Sequence, residues 1–162
     1  MKFSELYGDM SGTTFEGDMD MSNKGLTSLE GMPDVVNGML ICSENKLITL
    51  DGMPHTIYGN CFINHNKLTS LKGIAQAVYG DIYCSGNQLT SLKGIPKKLY
   101  GIIDCFNNKN EHLQQEFFFI FQNPHLTEDI IKIKMYLQTK SEYYLTPEEY
   151  EEYIEKYPQH FV

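Results

Sequence analysis

The sequence predicts an α/β repeat protein. About five 21-residue repeats at 15–113 form a solenoid, between an N-terminal cap at 1–14 and a helical C-terminal cap at 114–162. Three observations predict it. Gly17, Gly38, Gly59, Gly80 and Gly101 recur at a 21-residue step. Leu26, Leu47, Leu68 and Leu89 keep that step, as do Leu29, Leu50, Leu71, Leu92 and Leu113. After each of these glycines the chain alternates between apolar and polar residues, the period of a short strand with one buried side.

The N-terminal segment offers Phe3, Leu6 and Tyr7 to cover the first repeat, whose end would otherwise expose core and strand edge. Within the repeats the inward set is Met19/Met21, Leu40/Cys42, Cys61/Ile63, Ile82/Cys84 and Ile103/Cys105. One strand per repeat is expected to stack in parallel on the next, because no single repeat can bury its apolar side alone. The Leu-Thr-Ser-Leu stretch turns the chain, and its leucines fill the core. Gly31, Gly52, Gly73 and Gly94, then Pro33, Pro54 and Pro96 (Ala75 in the remaining repeat), set the return path. Asn45, Asn66, Asn87 and Asn108 sit at one fixed turn, where a carboxamide can bond the backbone of its own and the next turn.

Each unit therefore reads Gly-x-apolar-x-apolar-x-x-Asn-x-Leu-Thr-Ser-Leu-x-Gly-apolar-Pro. This pattern resembles the leucine-rich repeat, in the short form found in bacterial effectors and bacteriophage proteins. The resemblance implies a solenoid that recognises other macromolecules. Bacterial effectors of this kind attach a large catalytic domain. Here only about 50 residues, free of cysteine, follow the repeats, so ubiquitin-ligase chemistry is not expected. Small phage proteins of this style bind and disable a host factor, which points to an inhibitor of a host protein, with an ATP-dependent protease as one target.

The C-terminal segment reads as helix. Leu113, Phe117, Ile120 and Phe121 fall on one face and are expected to plug the last repeat. Thr127 caps a second helix with the stripe Ile130, Ile133 and Leu137. Thr146-Pro147-Glu148-Glu149 is a start signal for a third, with Tyr150, Tyr153, Ile154 and Tyr157 on one side. Glu148, Glu149, Glu151, Glu152 and Glu155 occupy the rest of that helix.

Composition narrows the function. The net charge is -8, and all 13 basic residues are Lys, which argues against a nucleic-acid backbone binder. Residues 1–110 carry 9 Lys and 11 acids, and residues 111–162 carry 4 Lys and 10 acids, so the negative field concentrates at the C-terminal end. The longest apolar run, Phe117 to Phe121, is too short to span a bilayer, and Met1-Lys2-Phe3-Ser4-Glu5 lacks the core of a secretory signal. Four Cys without a CxxC pair fit a reducing, cytoplasmic setting, with thiols used as small hydrophobes. The chain has no Gly-x-Ser-x-Gly elbow, phosphate loop or His-Glu-x-x-His. Cys61 and His65 share a repeat, but strand parity turns Cys61 inward and leaves His65 in the turn. No enzyme activity, cofactor or metal is expected.

Two surfaces remain for a protein partner. The outward strand face carries Met39, Ile41, Phe62, Asp81, Tyr83, Ile102, Asp104 and Phe106, an apolar and aromatic strip with acids at its edges. The acidic helix with Glu148, Glu149, Glu151, Glu152 and Glu155 is the other. The alternative is a structural or assembly component that uses its repeats to form a homo-oligomer or to stack on a particle subunit.

Overall fold

A computed structural model describes residues 1–90, 94–101 and 103–109. They form a β-solenoid with a coil length of 21 residues throughout. After helix α1 (Phe3–Tyr7) come β1 (Thr14–Glu16), β2 (Met19–Asp20), β3 (Val35–Asn37), β4 (Leu40–Ile41) and β5 (Thr56–Ile57). The series continues with β6 (Cys61–Phe62), β7 (Ala77–Val78), β8 (Ile82–Tyr83), β9 (Lys98–Leu99) and β10 (Ile103–Asp104). The odd-numbered strands form one parallel sheet and the even-numbered strands a second, each in chain order. Every pairing joins equivalent repeat positions: Met19 to Leu40, Leu40 to Cys61, Cys61 to Ile82 and Ile82 to Ile103.

Two expectations change. Each repeat supplies two strands rather than one: the additional strand ends just before the glycine and buries Val36, Ile57 and Val78. Nor is the described part α/β, since its one helix is the five-residue α1. A 21-residue coil with two strand sides and the turns between them leaves no length for a helix. The expected helical cap at 114–162 lies outside the described residues.

The core is the predicted inward set. Leu26, Leu29, Leu47, Leu50, Leu68, Leu71 and Leu89 are fully buried, with Leu40, Cys42, Cys61, Ile63, Ile82 and Cys84 across from them. Burying one such leucine is worth ~1.5–3 kcal/mol, and only the neighbouring coil makes that burial complete.

Glycine closes the corner between the sheets. A Cβ on Gly59 would lie 2.7 Å from both the carbonyl carbon of Gly38 and the amide nitrogen of Met39. Successive coils therefore touch backbone to backbone there. Gly52 has two reasons: a Cβ there would lie 2.8 Å from the Leu29 carbonyl carbon, and its φ of 88° lies in the left-handed region.

The asparagines form a continuous ladder, buried in every coil where they occur. Asn66 accepts the Leu47 amide at 3.1 Å and donates through Nδ2 to the carbonyls of Cys42 and Ile63 at 3.0 and 3.1 Å. Asn87 repeats this with Leu68, Ile63 and Cys84. The bonds tie each turn to the preceding one rather than the next, correcting the direction expected from sequence. The residue before each asparagine takes positive φ, at Glu44, His65, Gly86 and Asn107, and aims the carboxamide inward.

At the start of the chain, Phe3 is fully buried, whereas Leu6 and Tyr7 remain exposed. The segment is held by backbone bonds from Phe3 to Ser28 at 3.0 Å and from Met10 to Gly31 at 2.8 Å.

Candidate protein-binding face

Parallel, in-register strands place equivalent side chains side by side at the strand spacing. On the even-numbered sheet the outward residues of adjacent coils run Asp20, Ile41, Phe62, Tyr83 and Asp104. Three apolar or aromatic side chains are thus contiguous and bracketed by a carboxylate at each end. The Phe62 and Tyr83 rings stack with centroids 4.6 Å apart and planes 4° from parallel. Ile41, Phe62 and Tyr83 are half-buried, each flanked by a strand on either side, and Asp104 is half-buried on β10, which pairs with β8.

The neighbouring outward column runs Asp18, Met39, Asn60 and Asp81. Here the polar side chains hold the sheet together. Asp18 accepts the Met39 amide at 2.7 Å, and Asn60 accepts the Asp81 amide at 2.8 Å. Met39 and Asp81 are half-buried. Tyr83 Oη donates to Asp81 Oδ2 at 3.3 Å. The Tyr83 hydroxyl is pushed above the ordinary phenol range, first by burial and then by the charge of Asp81. Phe106 is 57% exposed, the most open of the predicted residues that the structure describes, while the Asp104 carboxylate accepts its amide at 3.2 Å. The structure brings Ile41, Phe62 and Tyr83 together, with Met39 and Asp81 in the next column. Ile102 and the acidic set Glu148, Glu149, Glu151, Glu152 and Glu155 lie outside the described residues.

A second aromatic ladder escaped the sequence reading. Tyr58, Tyr79 and Tyr100 follow β5, β7 and β9, and stack with centroid spacings of 4.8 Å and interplanar angles of 13° and 8°. They are 53%, 41% and 62% exposed, more open than Phe62 or Tyr83. Their signal was present: each tyrosine immediately precedes one of the glycines at the 21-residue step. It was missed because the strand on that side of the glycine was not foreseen.

Cys42, Cys61, Cys84 and Cys105 are all buried in the core. Burial pushes the Cys61 thiol up to about 12, and the Cys42 and Cys84 thiols well above the usual range. His65 stands in the exposed turn, away from the inward side where Cys61 lies. Among the described residues no cluster of three His, Cys, Asp or Glu side chains is placed to hold a metal ion. None of their helices is long and apolar enough to cross a membrane. Comparison with known proteins returns no matching family model, no matching curated protein and no matching solved structure.

Proposed function

We propose that this chain is a non-enzymatic protein-binding module that engages a partner protein through its even-numbered sheet. The observation that carries the reading is the contiguous column Ile41–Phe62–Tyr83 with an aspartate at each end. Stacked rings on adjacent strands are held rigid before binding, so an interface built on them loses little side-chain entropy. Aromatic anchors of this kind concentrate binding energy, and flanking acids would orient a partner with basic groups at its rim.

The phage-style repeat pattern extends the proposal to a bacteriophage protein that binds and inhibits a host protein in the cytoplasm, with an ATP-dependent protease as the first target to test. The test is capture from bacterial lysate with the natural chain and with Phe62→Ala/Tyr83→Ala, followed by mass spectrometry. One host protein retained by the first and lost by the second supports the reading. Purified host protease should then lose activity on an unfolded substrate as the chain is added. Equal capture by both chains removes the strand face as the site. Self-association with no captured partner supports the assembly role instead.

A further inference from the structure

We propose that the N-terminal edge of the even-numbered sheet is a strand-addition site for an extended segment of another protein, in which one bulky apolar residue is flanked on both sides by Lys or Arg. This surface shares the acids of β2 with the strand face above but lies at the open edge of the sheet rather than across the column of Ile41, Phe62 and Tyr83. Among the described residues the first coil is only partly covered. Residues 1–10 bond to the turn side of that coil, through Phe3 to Ser28, Ser4 to Glu30 and Met10 to Gly31. Among the described residues, strand β2 pairs with β4 alone and has no neighbour on its other side.

Ladder geometry fixes which groups that edge offers. Met19 and Met21 donate their amides to the carbonyls of Met39 and Ile41 at 2.8 and 2.7 Å. In a strand the backbone groups of successive residues point to opposite sides, so the amides and carbonyls of Asp18 and Asp20 face away from β4. No backbone partner for them occurs among the described residues.

Beside this edge lies a cavity of about 290 Å³, lined by Phe3, Tyr7, Phe15, Met19 and Met21 together with Asp18 and Asp20. An incoming strand would share the pleat of β2. Its residues opposite Asp18 and Asp20 would stand on the carboxylate face, within reach of an ion pair. Its residue between them, level with Met19, would point to the other face, where the cavity is. Basic–apolar–basic is the sequence this alternation selects. A second copy of the same edge does not fit, because it would set Asp18 and Asp20 against their own equivalents. Edge protection by charge accounts for the two acids, but it does not call for an apolar cavity behind them.

The test uses the full chain and a labelled peptide, Ser-Thr-Lys-Leu-Lys-Thr-Ser, followed by fluorescence anisotropy and amide NMR. Saturable binding is expected, with exchange of the Asp18 and Asp20 amides slowed. The same peptide with Glu for Lys should not bind. Asp18→Asn/Asp20→Asn keeps the oxygen acceptors for the Met39 and Ser22 amides but removes the charge, and should weaken binding about fivefold at low salt. Phe62→Ala/Tyr83→Ala should leave peptide binding unchanged, which separates this site from the strand face. No saturable binding, equal binding of the Glu peptide, or full affinity in the Asn variant overturns the proposal. So does a dimer of the chain that competes with the peptide, since the occupant would then be a second copy.

Discussion

The Phe62 and Tyr83 rings, 21 positions apart in sequence, lie 4.6 Å apart and within 4° of parallel. The stack follows from register: β6 and β8 pair Phe62 directly with Tyr83. Two aromatics at one outward position of adjacent strands have little choice but to stack. Their energy is therefore divided between the fold, through the stack, and whatever covers it. An aromatic pair contributes ~0.5–1.5 kcal/mol beyond burial, and a binding anchor ~2 kcal/mol or more.

This division predicts a double-mutant cycle. Phe62→Ala and Tyr83→Ala should each lower unfolding free energy by ~1 kcal/mol, with a coupling of ~0.5–1 kcal/mol between them. Partner affinity, measured by calorimetry on the captured protein, should fall at least tenfold for each. Affinity that stays constant while stability drops would make the stack purely structural.

The asparagine ladder predicts a larger effect on stability. Removing the Asn66 carboxamide leaves the Leu47 amide and the carbonyls of Cys42 and Ile63 without that partner. A buried group left unsatisfied costs ~1–3 kcal/mol, so Asn66→Ala should destabilise by about 3 kcal/mol or more in denaturant titration. Asn66→Asp should be no better: its oxygens accept but cannot donate to two carbonyls. A loss below ~1 kcal/mol in both would mean that water replaces the ladder.

Much of the fold was legible because it is periodic. The glycine, leucine and asparagine steps encode a coil length, and coil length alone puts Leu47 over Leu26 and Asn66 over Asn45. The second sheet was not legible from alternation. β5 and β7 are two residues each, too short for period two to register, and their inward residues Ile57 and Val78 precede the glycine. The column of Ile41, Phe62 and Tyr83 could be read from parity. The roles of Asp18 and Asn60 as acceptors for the next coil could not, because those bonds depend on backbone proximity at the glycine corner.

That proximity gives a third prediction. Gly59→Ala would set its methyl group 2.7 Å from the Gly38 carbonyl carbon, which is backbone and cannot swing aside. The two coils would have to part, disturbing the bond between the Gly59 amide and the Gly38 carbonyl, now 2.9 Å. A cost of ~1–3 kcal/mol is expected from overpacking, read as a lower melting temperature. Gly12→Ala is the comparison. Gly12 has positive φ but nothing within 4 Å of its Cβ position, so only backbone strain of ~1 kcal/mol should appear. Equal losses in the two variants would show that the coils are not in contact at the corner.

The buried thiols predict how stability depends on pH. Cys42, Cys61 and Cys84 have folded values raised by burial, Cys61 to about 12, whereas an exposed thiol in the unfolded chain titrates near ~8.5. Below ~8.5 both states keep the proton and the thiols contribute no slope. Above it the unfolded chain loses protons that the folded chain retains, so stability falls as pH rises toward 12. Each thiol adds up to ~1.4 kcal/mol of loss per pH unit in that window. Denaturant midpoints should be level from pH 6.5 to 8 as far as the thiols are concerned, then fall steeply, and Cys61→Ala should make the alkaline limb shallower. Native protein at pH 8 should also resist a thiol reagent that labels the unfolded chain at once, because thiolate and access are both withheld by the same core. Rapid labelling of Cys61 in the native state would mean that the coils around it open far more often than their packing allows.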